Sequence, residues 1–167
     1  IIIFLILIAI FADQIAPYSY AEQDLKNQFQ LPSAKHWFGT DDLGRDIFSR
    51  VVYGSRVSLK VGFISVSISL ILGVTLGALT GYYGGKVDIL LMRVIDILQA
   101  VPDTLLAIAI MAALGPGLTN LMMAVGIASI PSYARLVRSS VLSIRDMEFI
   151  EAAKANGSSD FRIIFKH

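Results

Sequence analysis

Bond-making or bond-breaking chemistry needs a nucleophile beside a base, a metal-ligand cluster or a phosphate cradle, and these 167 residues offer none of them. The two histidines, His36 and His167, stand far apart with no HExxH or comparable spacing, so no metal site is expected and each reads as a polar surface residue. There is no GxxxxGK[ST] loop. The absence of cysteine excludes disulfides, thiolate metal sites and cysteine catalysis. No basic tract points to nucleic acid. Neither catalytic residues nor a cofactor are expected, and the chemistry left to this chain is non-covalent.

Three groups of residues could do such work. Glu151, Ala152 and Ala153, followed by Gly157 in "EAAKANGSSDF", combine a charge, a surface small enough for close docking and a glycine suited to a left-handed helix cap. Ser158 or Ser159 can then cap a second helix. Two helices meeting at a glycine make a compact knuckle that a soluble partner could grip; the plain alternative is an ordinary capped turn. Arg93, Asp96 and Asp103 form a second group, falling within about 80° of one another on a single helix at about 100° per residue. Arg93 and Asp96 can pair at i,i+3. Such charges read first as a paired cluster at the membrane edge and second as substrate contacts. The third group, Ser65, Ser69, Gly73, Gly77 and Gly81, recurs every fourth residue, spacing that brings another helix in backbone to backbone.

The elements that position these groups belong to a membrane protein. The chain is 55% hydrophobic and only 16% charged, where a soluble domain carries about a quarter charged residues. Residues 61–85 and 104–134 are free of charge, and the first run exceeds the roughly 20 apolar residues that cross a bilayer as a helix. "IIIFLILIAIFA" reads as the outer half of a further span whose start is missing, and "FRIIFKH" stops inside a helix, so a piece of a longer protein is expected. The expected class is all-α, a polytopic transmembrane helical bundle. Residues 1–12 end a first span and 13–56 form a loop. Residues 57–167 form a core with spans at about 57–83, 89–114 (kinked at Pro102) and 118–137 (interrupted at Pro131), then polar helices over 143–167.

Within the loop, "GTDDLGRDIFSRVVYGSR" predicts a short amphipathic surface helix. Thr40 or Asp41 would cap it, Gly54 would end it, and Asp41–Arg45 and Asp46–Arg50 would pair at i,i+4. That helix could anchor the loop to the membrane or dock an external binding protein. The tail from Arg135 is richer in Lys and Arg than the loop, which puts residues 138–167 in the cytoplasm and 13–56 outside.

Glu151-Ala152-Ala153 with Gly157 resembles the EAA loop of bacterial ABC import permeases. "FGTDDLGRDIFSRVVYGSRVSLKVG", "GYYGGKVDILLMRVIDILQAVP", "LGPGLTN" and "ARLVRSSVLSIRDMEFIEAAKANG" resemble, in order and spacing, the second permease subunit of dipeptide, oligopeptide and nickel importers. The resemblance covers nearly all of residues 12–167, though His167 stands where the family has a hydrophobic residue. It implies a six-helix permease in the inner membrane, with Glu151, Ala152, Ala153 and Gly157 docking on a partner ATPase. It also implies a second permease subunit, an extracytoplasmic substrate-binding protein and a peptide cargo, with nickel second. Two rivals remain from the residues alone. An ion-driven secondary transporter is suggested by "DLGRD", but its spacing from Gly39 and its side of the membrane fit poorly. A non-transporting assembly factor would be held by the small-residue stripe.

Overall fold

Glycines and prolines set most of the helix breaks in the computed structural model, which describes residues 1–166. The helices are α1 (Ile2–Ile10), α2 (Ala12–Ile15), α3 (Ile47–Tyr83), α4 (Gly85–Gln99), α5 (Asp103–Leu114), α6 (Leu118–Ile144), α7 (Glu148–Ala155) and α8 (Asp160–Lys166), with a 3₁₀ turn at Leu25–Asn27. Among the described residues there is no strand, only an isolated bridge between Thr40 and Asp46. The fold is all-α. Two compact units divide the chain, residues 1–62 and 63–167, with the boundary inside α3.

In the first unit α1 is apolar on every side and largely exposed, as a helix facing lipid is. Its last carbonyls lack helical partners. Arg56 of α3 supplies them, donating to Ala9 O at 2.6 Å and Ile10 O at 3.1 Å while pairing with Asp13 at 2.9 Å.

The loop departs from its predicted form. Residues 41–46 make a turn, not a helix, because the Asp41 carboxylate accepts the backbone N–H groups of Leu43 and Arg45, each at 2.9 Å. Asp41 pairs with Arg45 at 2.8 Å as expected and also with Arg50, so the Asp46–Arg50 pair does not form. Asp46 caps α3 instead of Thr40 or Asp41, accepting the Ser49 N–H and hydroxyl, both at 2.7 Å. Its other oxygen meets His36 Nδ1 at 2.9 Å, so His36 is buried rather than on the surface. Gly54 does not end the helix, which runs on through Arg56 as one 37-residue element. A glycine inside a helix costs only about 1 kcal/mol, which a span this long absorbs.

In the second unit α6 lies at the centre. Ile130 and Ala134 of α6 form a buried cluster with Ile95 of α4, and Leu76 of α3 and Met92 of α4 pack around it. Gly115 to Gly117 turn α5 back against α6, and Asn120 holds the turn by donating to Leu114 O at 2.9 Å. Pro131 does not interrupt α6. Its ring is fully buried and the helix continues to Ile144 rather than 137. The span expected over 89–114 is two helices bent by 88°. Pro102 supplies no N–H and keeps Val101 out of helical conformation, so the chain breaks where a mere kink was predicted. Of the described helices, α3 is long and apolar enough to cross a membrane, and α4 with α5 pass together as a bent pair. At 27 residues α6 is about 40 Å long but does not reach that apolarity. A helix wrapped by its neighbours presents little surface to lipid.

Candidate functional site

The small-residue stripe of α3 lies against α6. A Cβ built on Gly73 would stand 2.6 Å from the Tyr133 Cβ, one on Gly77 2.4 Å from Ala134 O, and one on Gly81 2.8 Å from the Val141 Cβ. The approach is mutual, since a Cβ on Gly126 would lie 2.9 Å from the Ile68 Cβ. Where the stripe carries hydroxyls they bridge the helices. Ser65 donates to Met122 O at 3.0 Å and Ser69 to Gly126 O at 2.8 Å. Small residues let the two helices pack this closely, and the hydroxyl bonds add to that contact.

Arg93, Asp96 and Asp103 do not share one helical face, because Asp103 stands beyond the 88° break. The Arg93–Asp96 pair is not formed. Asp96 meets Arg135 of α6 at 2.8 Å, while Arg93 is exposed and makes no ion pair among the described residues. Asp103 opens α5, where a helix N-terminus favours negative charge, and lines a surface cavity with Ser129, Ser132, Tyr133 and Leu136. The strongest α4–α6 tie was not singled out from the sequence. Arg138 grips Asp88 with two N–H donors at 2.6 Å each. A readable signal existed: Asp88 and Asp96 on one helix match Arg138 and Arg135 on a later one, in reversed order.

Glu151, Ala152, Ala153 and Gly157 lie in a built knuckle. Helix α7 ends in a paired cap, with Gly157 N–H donating to Lys154 O at 2.9 Å and Ser158 N–H to Ala153 O at 3.0 Å. Gly157 has φ +74°, the left-handed region, while nothing lies within 4 Å of where its Cβ would be. The demand for glycine is conformational, not steric. Ser159 caps α8 by accepting the Arg162 N–H at 3.4 Å. On the inner side Ile150 and Ile163 are 3% exposed and share a groove with Ala78 and Tyr82 of α3 and Val141 of α6. On the outer side Glu151 and Ala152 are exposed, with Ala153 half-buried behind them. Tyr82 Oη donates to Asp160 at 2.8 Å, and the Lys154 ammonium stands over the Tyr82 ring at 5.2 Å. Neither contact was anticipated, because the partners are 72 or more residues apart. His167 lies outside the described residues.

The sequence is similar to those of known proteins. The family described as binding-protein-dependent transport system inner membrane component matches residues 73–167, and the N-terminal TM domain of oligopeptide transport permease C matches residues 1–32. The chain is 57% identical over 162 residues to the dipeptide transport system permease protein DppC of Alkalihalophilus pseudofirmus, covering 97% of this chain and 53% of that protein. It is 45% identical over 169 residues to the glutathione transport system permease protein GsiD of Pectobacterium atrosepticum, covering 99% and 56%. A GsiD from Escherichia coli O157:H7 is 49% identical over 167 residues, at 99% and 55%. The chain thus spans about half the length of the curated relatives it matches. From the match over its whole second half and more, this chain belongs to the family of binding-protein-dependent transport system inner membrane components.

Proposed function

We propose that the full-length protein is a permease subunit of an ATP-driven importer that passes short peptides across the bacterial inner membrane. It works beside a second permease subunit and receives cargo from an extracytoplasmic binding protein. ATP is hydrolysed on separate ATPase subunits, which grip the knuckle at Glu151, Ala152, Ala153 and Gly157. The loop at 13–56 faces outward and residues 138–167 face the cytoplasm. Support for peptide cargo rather than nickel comes from the relatives, whose names specify dipeptide and glutathione, both short peptides.

One observation carries the coupling role. The knuckle is fixed on its inner side by Ile150 and Ile163, while Glu151 and Ala152 stay exposed on the outer side. Arg93, Asp96 and Asp103 fit a hydrated cytoplasmic membrane edge, where exposed charge is tolerated.

The test is crosslinking. The chain has no native cysteine, so Ala152→Cys in the full-length subunit gives one exposed thiol. Crosslinked in native membranes, it should yield an adduct with an ATPase subunit, identified by mass spectrometry. A thiol that reacts freely from the cytoplasm and captures no ATPase would overturn the coupling role.

A further inference from the structure

We infer that Tyr82 is the positioning residue that fastens the knuckle to α3, so that displacement of residues 151–157 reaches the span through this side chain; the inference rests on the coupling role proposed above. Tyr82 is the penultimate residue of α3 and is touched by both knuckle helices. Its hydroxyl donates to the carboxylate of Asp160 on α8 at 2.8 Å. Its ring lies under the ammonium of Lys154 on α7 at 5.2 Å, within the range of a cation–π contact. The same side chain lines the apolar groove that receives Ile150 and Ile163.

These contacts constrain different motions. Buried isoleucines resist lifting the knuckle off the bundle, but an apolar groove is non-directional and lets the knuckle slide. A hydrogen bond to a charged acceptor is directional and resists that sliding. The Arg145 guanidinium, which donates to Gly81 O at 3.1 Å, secures the end of α6 to α3, while Tyr82 holds the knuckle, with the neighbouring Tyr83 hydroxyl also facing Asp160. Phenylalanine at position 82 would keep the ring over the groove and under Lys154 while removing the directional bond. The role therefore needs tyrosine.

The experiment uses the full-length subunit assembled with its partner permease and ATPases in proteoliposomes. Spin labels are placed at Ala155→Cys on α7 and Leu70→Cys on α3, both exposed positions, and the inter-label distance is read with and without ATP. With Tyr82 intact, one narrow distance should persist through ATP binding, because knuckle and span move together. Tyr82→Phe should broaden that distance and make it ATP-dependent, and should lower the dipeptide transported per ATP hydrolysed by roughly five-fold, the low end of a coupling free energy. Asp160→Asn keeps an acceptor oxygen and should behave as wild type. Asp160→Leu, which also removes the acceptor that faces Tyr83, should be at least as severe as Tyr82→Phe, and the double variant should be no worse than Asp160→Leu alone. A Tyr82→Phe distance as narrow and ATP-insensitive as wild type would overturn the inference. Failure of the coupling role would look different: Ala152→Cys would capture no ATPase, whatever residue stood at position 82.

Discussion

The carbonyl oxygen of Ala134 lies 2.4 Å from where a Cβ on Gly77 would stand. Gly77→Ala must push α3 off α6, and the obstructing atom is backbone, which cannot swing aside. A loss of about 1–3 kcal/mol is expected, as for other overpacked sites. Gly62→Ala is the control, because nothing lies within 4 Å of its Cβ position and helix propensity then favours alanine by about 1 kcal/mol. Thermal unfolding in detergent should separate the two, with opposite signs.

Gly157 makes the complementary case. Space is open there but φ is +74°, so Gly157→Ala should cost about 1–2 kcal/mol of backbone strain and Gly157→Asn less. ATP-dependent uptake should therefore rank glycine above asparagine above alanine at equal membrane abundance. Equal uptake for all three would mean that the cap can be rebuilt without consequence.

The loop should respond to acid. Burial pushes the Asp41 carboxyl up, but the N–H groups of Arg45 and Leu43 and the Arg45 guanidinium outweigh it and hold the carboxyl at about 2. Asp46 is also held below the usual range, its burial outweighed by the Ser49 N–H and hydroxyl and by His36. Because these values are lowered on folding, their stabilisation is complete above the unfolded value of about 4 and is lost as pH falls towards 2. The single tryptophan, Trp37, packs tilted against Phe48 with ring centroids 4.8 Å apart and reports on this loop. Its fluorescence should change between about pH 4 and 2, and Asp41→Asn should shrink the change.

The two α4–α6 ion pairs should differ in weight. The Arg138 and Asp88 side chains are 29% and 17% exposed and doubly bonded, whereas Arg135 and Asp96 are 49% and 59% exposed with one bond. Arg135→Gln should cost less than about 1 kcal/mol. Arg138→Gln should cost about 2–3 kcal/mol, because it strands a half-buried carboxylate. Equal shifts in unfolding temperature would contradict this ranking.

What the sequence made legible were features local in the chain or periodic along it. The every-fourth-residue run from Ser65 to Gly81 is a face of one helix, and in the structure that face lies against α6, a partner the spacing alone did not name. Gly157 and Ser159 act through neighbours within five residues of themselves. Misreadings arose where a partner outside the expected pair claimed the side chain. Asp46 read as a mate for Arg50, but His36 and Ser49 claim it. Arg93 and Asp96 are placed to pair on one helix, yet Arg135 draws Asp96 to α6. Pro102 and Pro131 look alike in sequence. One ends a helix and the other is carried inside one, where neighbouring side chains enclose its ring.

The ridge from Ser65 to Gly81 has a mechanical side. Two helices touching through side chains can slide, since side chains change rotamer and refill the gaps. Helices that touch through backbone and Cβ atoms, which have no rotamer to change, lack that slack, and here the contact runs from Ser65 with Met122 to Gly81 with Val141. Contact of this kind over that length is expected to resist shear between α3 and α6, so that the two tilt together. Movement within this part of the protein then falls to the joint at its margin, the 88° break before Asp103.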